Sequence, residues 1–254
     1  MPIIHKRKEK EKELFPEADG TILRMKQVYY SYPSGQEALQ GISLNLTSKE
    51  KVALVGPNGS GKSTLLLNII GILRGEGDIQ VSGLDVIDKN LPTIRAKVGF
   101  VFQNPEDQLF SPTVYEDVAF GPLYMGLSEE QVHQKVEYAL DLVHMSDYSA
   151  RLSYHLSAGE KKQIAIATVL SMEPDVLLLD EPTAGLDPRS RRNLINLLKE
   201  LPQSMLVATH DLLMVRELFQ RMVILDQGKI VADGQTEEIL QNEELLQAHG
   251  LELP

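Results

Sequence analysis

KVALVGPNGSGKSTLLLNIIGIL, from Lys51 to Leu73, is an apolar run, a glycine-rich turn and a second apolar run with helical spacing. Inside it, Gly56, Pro57, Asn58, Gly59, Ser60, Gly61, Lys62, Ser63 and Thr64 fit the phosphate-loop pattern of glycine, four residues, glycine, lysine, then serine or threonine. The chemistry follows from the residue types. Glycines let backbone N–H groups turn inward on phosphate oxygens, and the next helix adds its positive N-terminal end. Lys62 neutralises β and γ charge, and Ser63 offers a hydroxyl to Mg²⁺. The passage therefore predicts strand, phosphate-binding turn and helix, the opening unit of an α/β nucleotide-binding fold.

Working outward, ILRMKQVYY and ISLNL read as an N-terminal antiparallel β segment. Short apolar runs at 97–103, 175–180, 204–210 and 221–226 read as buried strands of a mostly parallel sheet. Between the first two of these, Val132, Val136, Leu140 and Val143 recur at spacings of three and four behind the Ser128 to Gln131 capping box. This predicts a helical subdomain over about 104–170, inserted in a nucleotide-binding core that spans 21–254. MVILDQGKIVADG predicts a hairpin around Gln227 and Gly228, and EEILQNEELLQ a final helix. Residues 1–20, with alternating charges from His5 to Glu13, read as a solvated, disordered tail or at most a short exposed helix. DVLLLDEP delivers Asp180 and Glu181 at the carboxyl end of a buried strand, where ligands bind in open α/β sheets. Asp180 is a candidate Mg²⁺ ligand, and Glu181, one residue further out, a candidate base for the attacking water.

The composition narrows the class. Of 254 residues, 43% are hydrophobic and 24% charged, as expected of a globular chain with a real core. The absence of cysteine excludes thiolate metal sites, Cys nucleophiles and disulfides. A net charge of -11 argues against nucleic acid as a partner. The longest apolar run, Leu65 to Leu73, is too short for a membrane span, and the charged first residues show no secretory signal, so the expected location is cytoplasmic. His5, His133, His144, His155 and His249 lack ligand-like spacing and are expected to be structural or exposed, with no metal site beyond Mg²⁺.

The order of phosphate loop, LSAGE (Leu156 to Glu160), DEPTAGLD (Asp180 to Asp187) and His210 resembles the nucleotide-binding subunit of ATP-binding-cassette proteins over nearly the whole chain. The resemblance implies a P-loop NTPase (RecA-like) core, ATP and Mg²⁺ as ligands, and hydrolysis of ATP. LSAGE departs from the commoner LSGGQ at Ala158 and Glu160, yet Ser157 with Glu160 still forms an S-x-x-E capping box. By resemblance, Ser157 and Gly159 act in trans on the γ-phosphate held by a second ATPase subunit, identical or paralogous. Gln103 is implied to contact Mg²⁺ or water and to sense the γ-phosphate, and His210 to contact the γ-phosphate and help hold Glu181. Asp187, followed by Pro188, suits a helix N-cap and by resemblance also a dimer contact. Tyr32, of the three tyrosines 29, 30 and 32, resembles the adenine-stacking aromatic.

QNPEDQLFSPTVYEDVAFGP, Gln103 to Pro122, resembles the subgroup that serves energy-coupling-factor and cobalt or nickel uptake systems. It implies a groove for a transmembrane coupling subunit, itself joined to a substrate-binding membrane subunit. Glu106 and Asp107 would suit arginines there and Leu109 with Phe110 apolar docking, while a polar loop ahead of the Thr113 to Glu116 capping box explains the same residues without a partner. The resulting expectation is a peripheral ATPase on the cytoplasmic face of the cell membrane, powering uptake of cobalt, nickel or a vitamin. A soluble ATPase of an assembly machine, such as iron–sulfur cluster assembly, is the alternative, and a nonhydrolytic nucleotide sensor ranks behind both.

Overall fold

The computed structural model describes residues 20–252, so the charged tail expected over 1–20 lies outside the described residues except for Gly20. Ten strands and nine α-helices follow in order. They are β1 (Thr21–Ser31), β2 (Glu37–Thr47), β3 (Lys51–Val55), α1 (Lys62–Ile69), β4 (Glu76–Val81), β5 (Leu84–Asp85), α2 (Leu91–Lys97) and β6 (Val98–Val101). Next come α3 (Val114–Tyr124), α4 (Glu129–Leu142), α5 (Ala158–Leu170), β7 (Val176–Asp180), α6 (Pro188–Glu200) and β8 (Ser204–Thr209). The chain closes with α7 (Leu212–Leu218), β9 (Arg221–Asp226), β10 (Lys229–Gln235), α8 (Thr236–Leu240) and α9 (Glu243–Ala248).

The strands form two sheets, an antiparallel one in the order β2-β1-β4-β5 and a six-stranded one in the order β10-β9-β3-β8-β7-β6. In the larger sheet every pairing is parallel except β9 with β10. Both faces of this sheet are covered, which is why its strands read as continuous apolar runs instead of alternating ones. Period-two geometry divides them between two cores. Val52, Leu54, Val176 and Leu178 join α1 and the antiparallel sheet, while Ala53, Val55, Leu177 and Leu179 join the helices of the opposite layer.

The expected strands and the α4 periodicity are present, and the hairpin turns at Gln227 (φ 45°) and Gly228 (φ 74°), the paired left-handed residues of a two-residue turn. Two expectations need correction. The single final helix is two helices, α8 and α9, because the Asn242 side chain accepts the Leu245 N–H and starts a new helix. The strand expected from 97 starts at Val98, since Lys97 ends α2. A subdomain over 104–170 remains a proposal: α3 and α4 pack on α5, and α5 packs also on β6 and α6.

Candidate functional site

Strands β6, β7, β8 and β3 are neighbours, and their carboxyl ends deliver Gln103, the pair Asp180 and Glu181, His210, and the loop from Gly56. A parallel sheet opens its ligand crevice at this edge. The residues singled out in four separate stretches of sequence thus meet in one place.

The phosphate loop is seated by packing as well as by glycine freedom. A Cβ on Gly56 would stand 2.0 Å from the Leu225 carbonyl oxygen. Gly61 has φ +109° and would meet the Ala38 carbonyl at 2.5 Å. The β9–β10 turn adds a bond, Gly228 N–H donating to the Ser60 carbonyl at 3.0 Å. Lys62 is buried at the start of α1, its ammonium donating to the carbonyls of Gly56 (2.7 Å) and Pro57 (3.1 Å) and lying 4.0 Å from Glu181 Oε1. Burial pushes that ammonium below the ordinary lysine range, against the pull of Glu181 and Asp180. A phosphate would take over both carbonyls' role, because α1 starts with N–H groups that have no partner within the helix. Tyr32, half-buried, places its hydroxyl 2.8 Å from Thr64 Oγ1 and its ring edge-on to Tyr30.

Asp180 is 7% exposed, and its Oδ1 has no hydrogen-bond partner. Burial raises its carboxyl above the usual range, Glu181 adds to this, and Ser63, Lys62 and Lys162 oppose it. A buried, unpaired carboxylate oxygen beside a serine hydroxyl is a donor set that fits a hard divalent cation such as Mg²⁺. Gln103 is exposed two residues beyond β6, at the same crevice.

Glu181 is 6% exposed and sits at φ 45°, a conformation few side-chain-bearing residues adopt. Its Oε2 lies 2.9 Å from His210 Nδ1 and 3.4 Å from the His210 N–H, so the imidazole, 63% exposed in its side chain, orients the carboxylate. Behind it Asp211 takes a bidentate pair from Arg191 (2.7 and 2.7 Å) and a bond from Thr183 Oγ1 (3.1 Å). Burial would raise the Asp211 carboxyl, but Arg191 and the Met214 N–H bring it below the usual range.

At the start of α5, the exposed Ser157 caps the helix in the expected box. Its hydroxyl donates to Glu160 Oε2 (2.7 Å), and Glu160 also takes the Tyr148 hydroxyl. Gly159 is buried, and a Cβ there would lie 2.6 Å from Ser190 Oγ on α6. Asp187 caps α6 through the N–H groups of Arg189 and Ser190. Ser157 and Asp187 therefore belong to two helix starts packed together, and both stand away from the chain's own phosphate loop in sequence and in element order.

The expected docking residues are only partly surface features. Leu109 packs against the core instead of facing out, and Glu106 is already paired with Lys161 at 2.7 Å. Asp107 is exposed, and Phe110 is exposed with its ring edge-on to Phe120. Leu123, Tyr124 (82% exposed) and Met125 extend the apolar surface along α3. Sequence reasoning missed this extension, although VYEDVAFGPLYMGL is too apolar for a helix with one buried face. It also missed Lys162, 3% exposed, whose ammonium donates to the carbonyls of Gln103 and Glu181.

Together, fold and site define a phosphate-loop nucleotide-binding ATPase. The ABC transporter family matches residues 39–184, and the chain belongs to that family. A Gloeobacter violaceus protein named provisionally as an ABC transporter ATP-binding protein is 56% identical over 91% of this chain and 96% of its own length. The energy-coupling factor transporter ATP-binding protein EcfA of Methanothermobacter thermautotrophicus is 44% identical, covering 92% of this chain and 77% of the relative. The solved structure of CbiO1 from Clostridium perfringens, part of the ABC transporter complex CbiONQ, superposes with TM-score 0.81 at 37% identity, over 93% of this chain and 97% of that one. The chain binds and hydrolyses ATP as the ATPase component of a transporter. ATPases of this family work as dimers with transmembrane subunits, and no helix among the described residues is long and apolar enough to cross a membrane.

Proposed function

We propose that this chain is the ATP-hydrolysing subunit of an energy-coupling-factor-type importer, docked on the cytoplasmic face of the membrane and powering uptake of cobalt, nickel or a vitamin. The observation that carries the reading is the exposed apolar surface of Phe110, Phe120, Leu123 and Tyr124 beside Asp107. A contiguous apolar patch with an acidic rim suits an amphipathic helix bearing arginines. The EcfA relative and CbiO1 add support from their own transporters.

In the proposed reaction, backbone N–H groups from Gly56 to Thr64 cradle the phosphates, with Lys62 exchanging its loop carbonyls for β and γ oxygens. The Tyr32 ring stacks on adenine. Ser63, Asp180 and Gln103 hold Mg²⁺, which supplies charge neutralisation to the phosphates. Glu181, aimed by His210, takes a proton from the attacking water, while Ser157 and the Gly159 N–H reach the γ-phosphate on a second subunit and Asp187 meets that subunit across the interface. Closure of two subunits around ATP, and reopening once the γ-phosphate has left, is the stroke delivered to the membrane subunit.

The test is recovery of partners from native membranes in mild detergent, using the wild type and a Phe110→Ser/Tyr124→Ser variant. A polytopic membrane protein recovered with the wild type and lost with the variant is the expected result, and its substrate-binding subunit identifies the cargo. Soluble scaffold partners in both preparations would replace the importer with the assembly-machine reading.

A further inference from the structure

Lys162 is a buried ammonium that the reaction above leaves without a task. It stands on α5, five residues beyond Ser157, or about 7.5 Å along the axis. Its protons go to two backbone carbonyls from distant stretches, Gln103 at close range and Glu181 at 3.4 Å. The Glu181 peptide is the one in the left-handed conformation, fixed otherwise by its N–H to the Ala208 carbonyl (2.8 Å) and its carbonyl from the Ala184 N–H (3.1 Å). Such a conformation persists only where its surroundings hold it, and it clusters at active sites. The same helix grips the segment after Gln103 a second time: Gln108 Nε2 donates to the Ala165 carbonyl and to Thr168 Oγ1 (2.7 Å each), and Lys161 pairs with Glu106. One rigid helix thus carries the exposed Ser157 at its start and the anchors of Gln103 and Glu181 one to two turns later.

We propose that Lys162 is a positioning residue for hydrolysis, tying the carbonyls of Gln103 and Glu181 to the helix that begins at Ser157, so that engagement of a second subunit's nucleotide at Ser157 sets the geometry of this subunit's own Glu181. The proposal rests on the assignment of Glu181 as the base and of Ser157 as the trans contact. Without the ammonium, the Gln103 carbonyl loses its partner and the Glu181 peptide keeps only bonds to its own loop and to β8, so neither follows α5.

The test compares the wild type, Lys162→Met, Lys162→Gln and Glu181→Gln in the full chain with any ATPase partner that co-purifies. Lys162→Met is expected to lower kcat about 10- to 100-fold, the scale of a small misplacement of a catalytic group. ADP affinity should stay within about threefold, since Lys162 makes no bond to the phosphate loop. Lys162→Gln, which retains donors on a shorter stem, should fall between, and it carries the same readouts if the Met variant does not fold. The Hill coefficient for ATP is expected to exceed 1 in the wild type and to drop toward about 1 in Lys162→Met as the link between sites is cut. A kcat within about twofold of wild type, with Glu181→Gln inactive, would overturn the proposal and leave the base assignment standing. Turnover by Glu181→Gln at the wild-type rate would instead remove the base assignment and the proposal with it. A lowered kcat at an unchanged Hill coefficient would overturn the coupling between subunits.

Discussion

Lys62 holds the loop's own carbonyls, and the proposed exchange of those bonds for phosphate contacts would make it a switchable ligand and not a fixed strut. Lys62→Ala should weaken nucleotide affinity roughly ten- to hundredfold, the worth of one or two charge-assisted bonds, as read by fluorescence titration. Unchanged affinity would count against the loop as the phosphate site. Asp211 gives the clearest pH signature. Its carboxyl titrates below the usual range in the folded chain, so the stability it contributes is full above the unfolded value of 3.8 and is lost as pH falls through the lower folded value. Asp211→Asn should therefore destabilise by about 1–3 kcal/mol at neutral pH, and the gap in melting temperature from wild type should close in strong acid. A gap that stays constant down to that range would show that Arg191 is not what the carboxylate serves. Lys62, Asp180 and Glu181 were legible because a glycine-rich turn and a buried strand end announce their chemistry locally. Lys162 and Arg191 were not, since their partners lie 59 and 20 positions away and a cation in mid-helix reads as solvated.

Among elements, the phosphate turn is clamped between β2 and the β9–β10 hairpin. Gly56→Ala would drive a methyl into the Leu225 backbone carbonyl at 2.0 Å, with the Ser60 hydroxyl 2.8 Å away, and the backbone contact cannot yield as a flexible side chain would. A loss of about 1–3 kcal/mol in denaturant unfolding, with weakened nucleotide binding, is the expected outcome; full stability would mean that the loop is not seated as described. The helix starts at Ser157 and Asp187 were readable from their capping residues, which act within three positions. So was the two-residue turn at Gln227 and Gly228. By contrast, β4 and β5 went unread because EGDIQV is largely exposed and pairs with β1, some fifty residues earlier, a register that no local pattern announces. The break between α8 and α9 was hidden because apolar spacing continues through Gln241 and Asn242 while the Asn242 cap interrupts the backbone. Leu109 was expected outside because it sits in a polar loop, yet it is partly buried and packs against the core beneath that loop.

At the scale of the whole molecule, the larger sheet gathers Gly56, Asp180, Glu181, His210 and Gln103 at one edge, whereas Ser157 and Asp187 stand on the paired starts of α5 and α6. Under the proposed function, a chain with one phosphate cradle and one separate trans element is half of a two-part device, closed when a second subunit supplies the other face. Overall architecture was readable because parallel strands buried on both faces leave continuous apolar runs; the surface proposed to meet a membrane subunit was only partly so, because exposed aromatics on α3 look like core residues in sequence. The most direct measurement is the molar mass of Glu181→Gln in solution, by light scattering, with ATP and Mg²⁺ and then with ADP, adding back any ATPase subunit that co-purifies. A dimer with ATP and monomers with ADP is the predicted result, because the variant keeps the γ-phosphate that bridges the halves. Monomers under both conditions would contradict the two-part site.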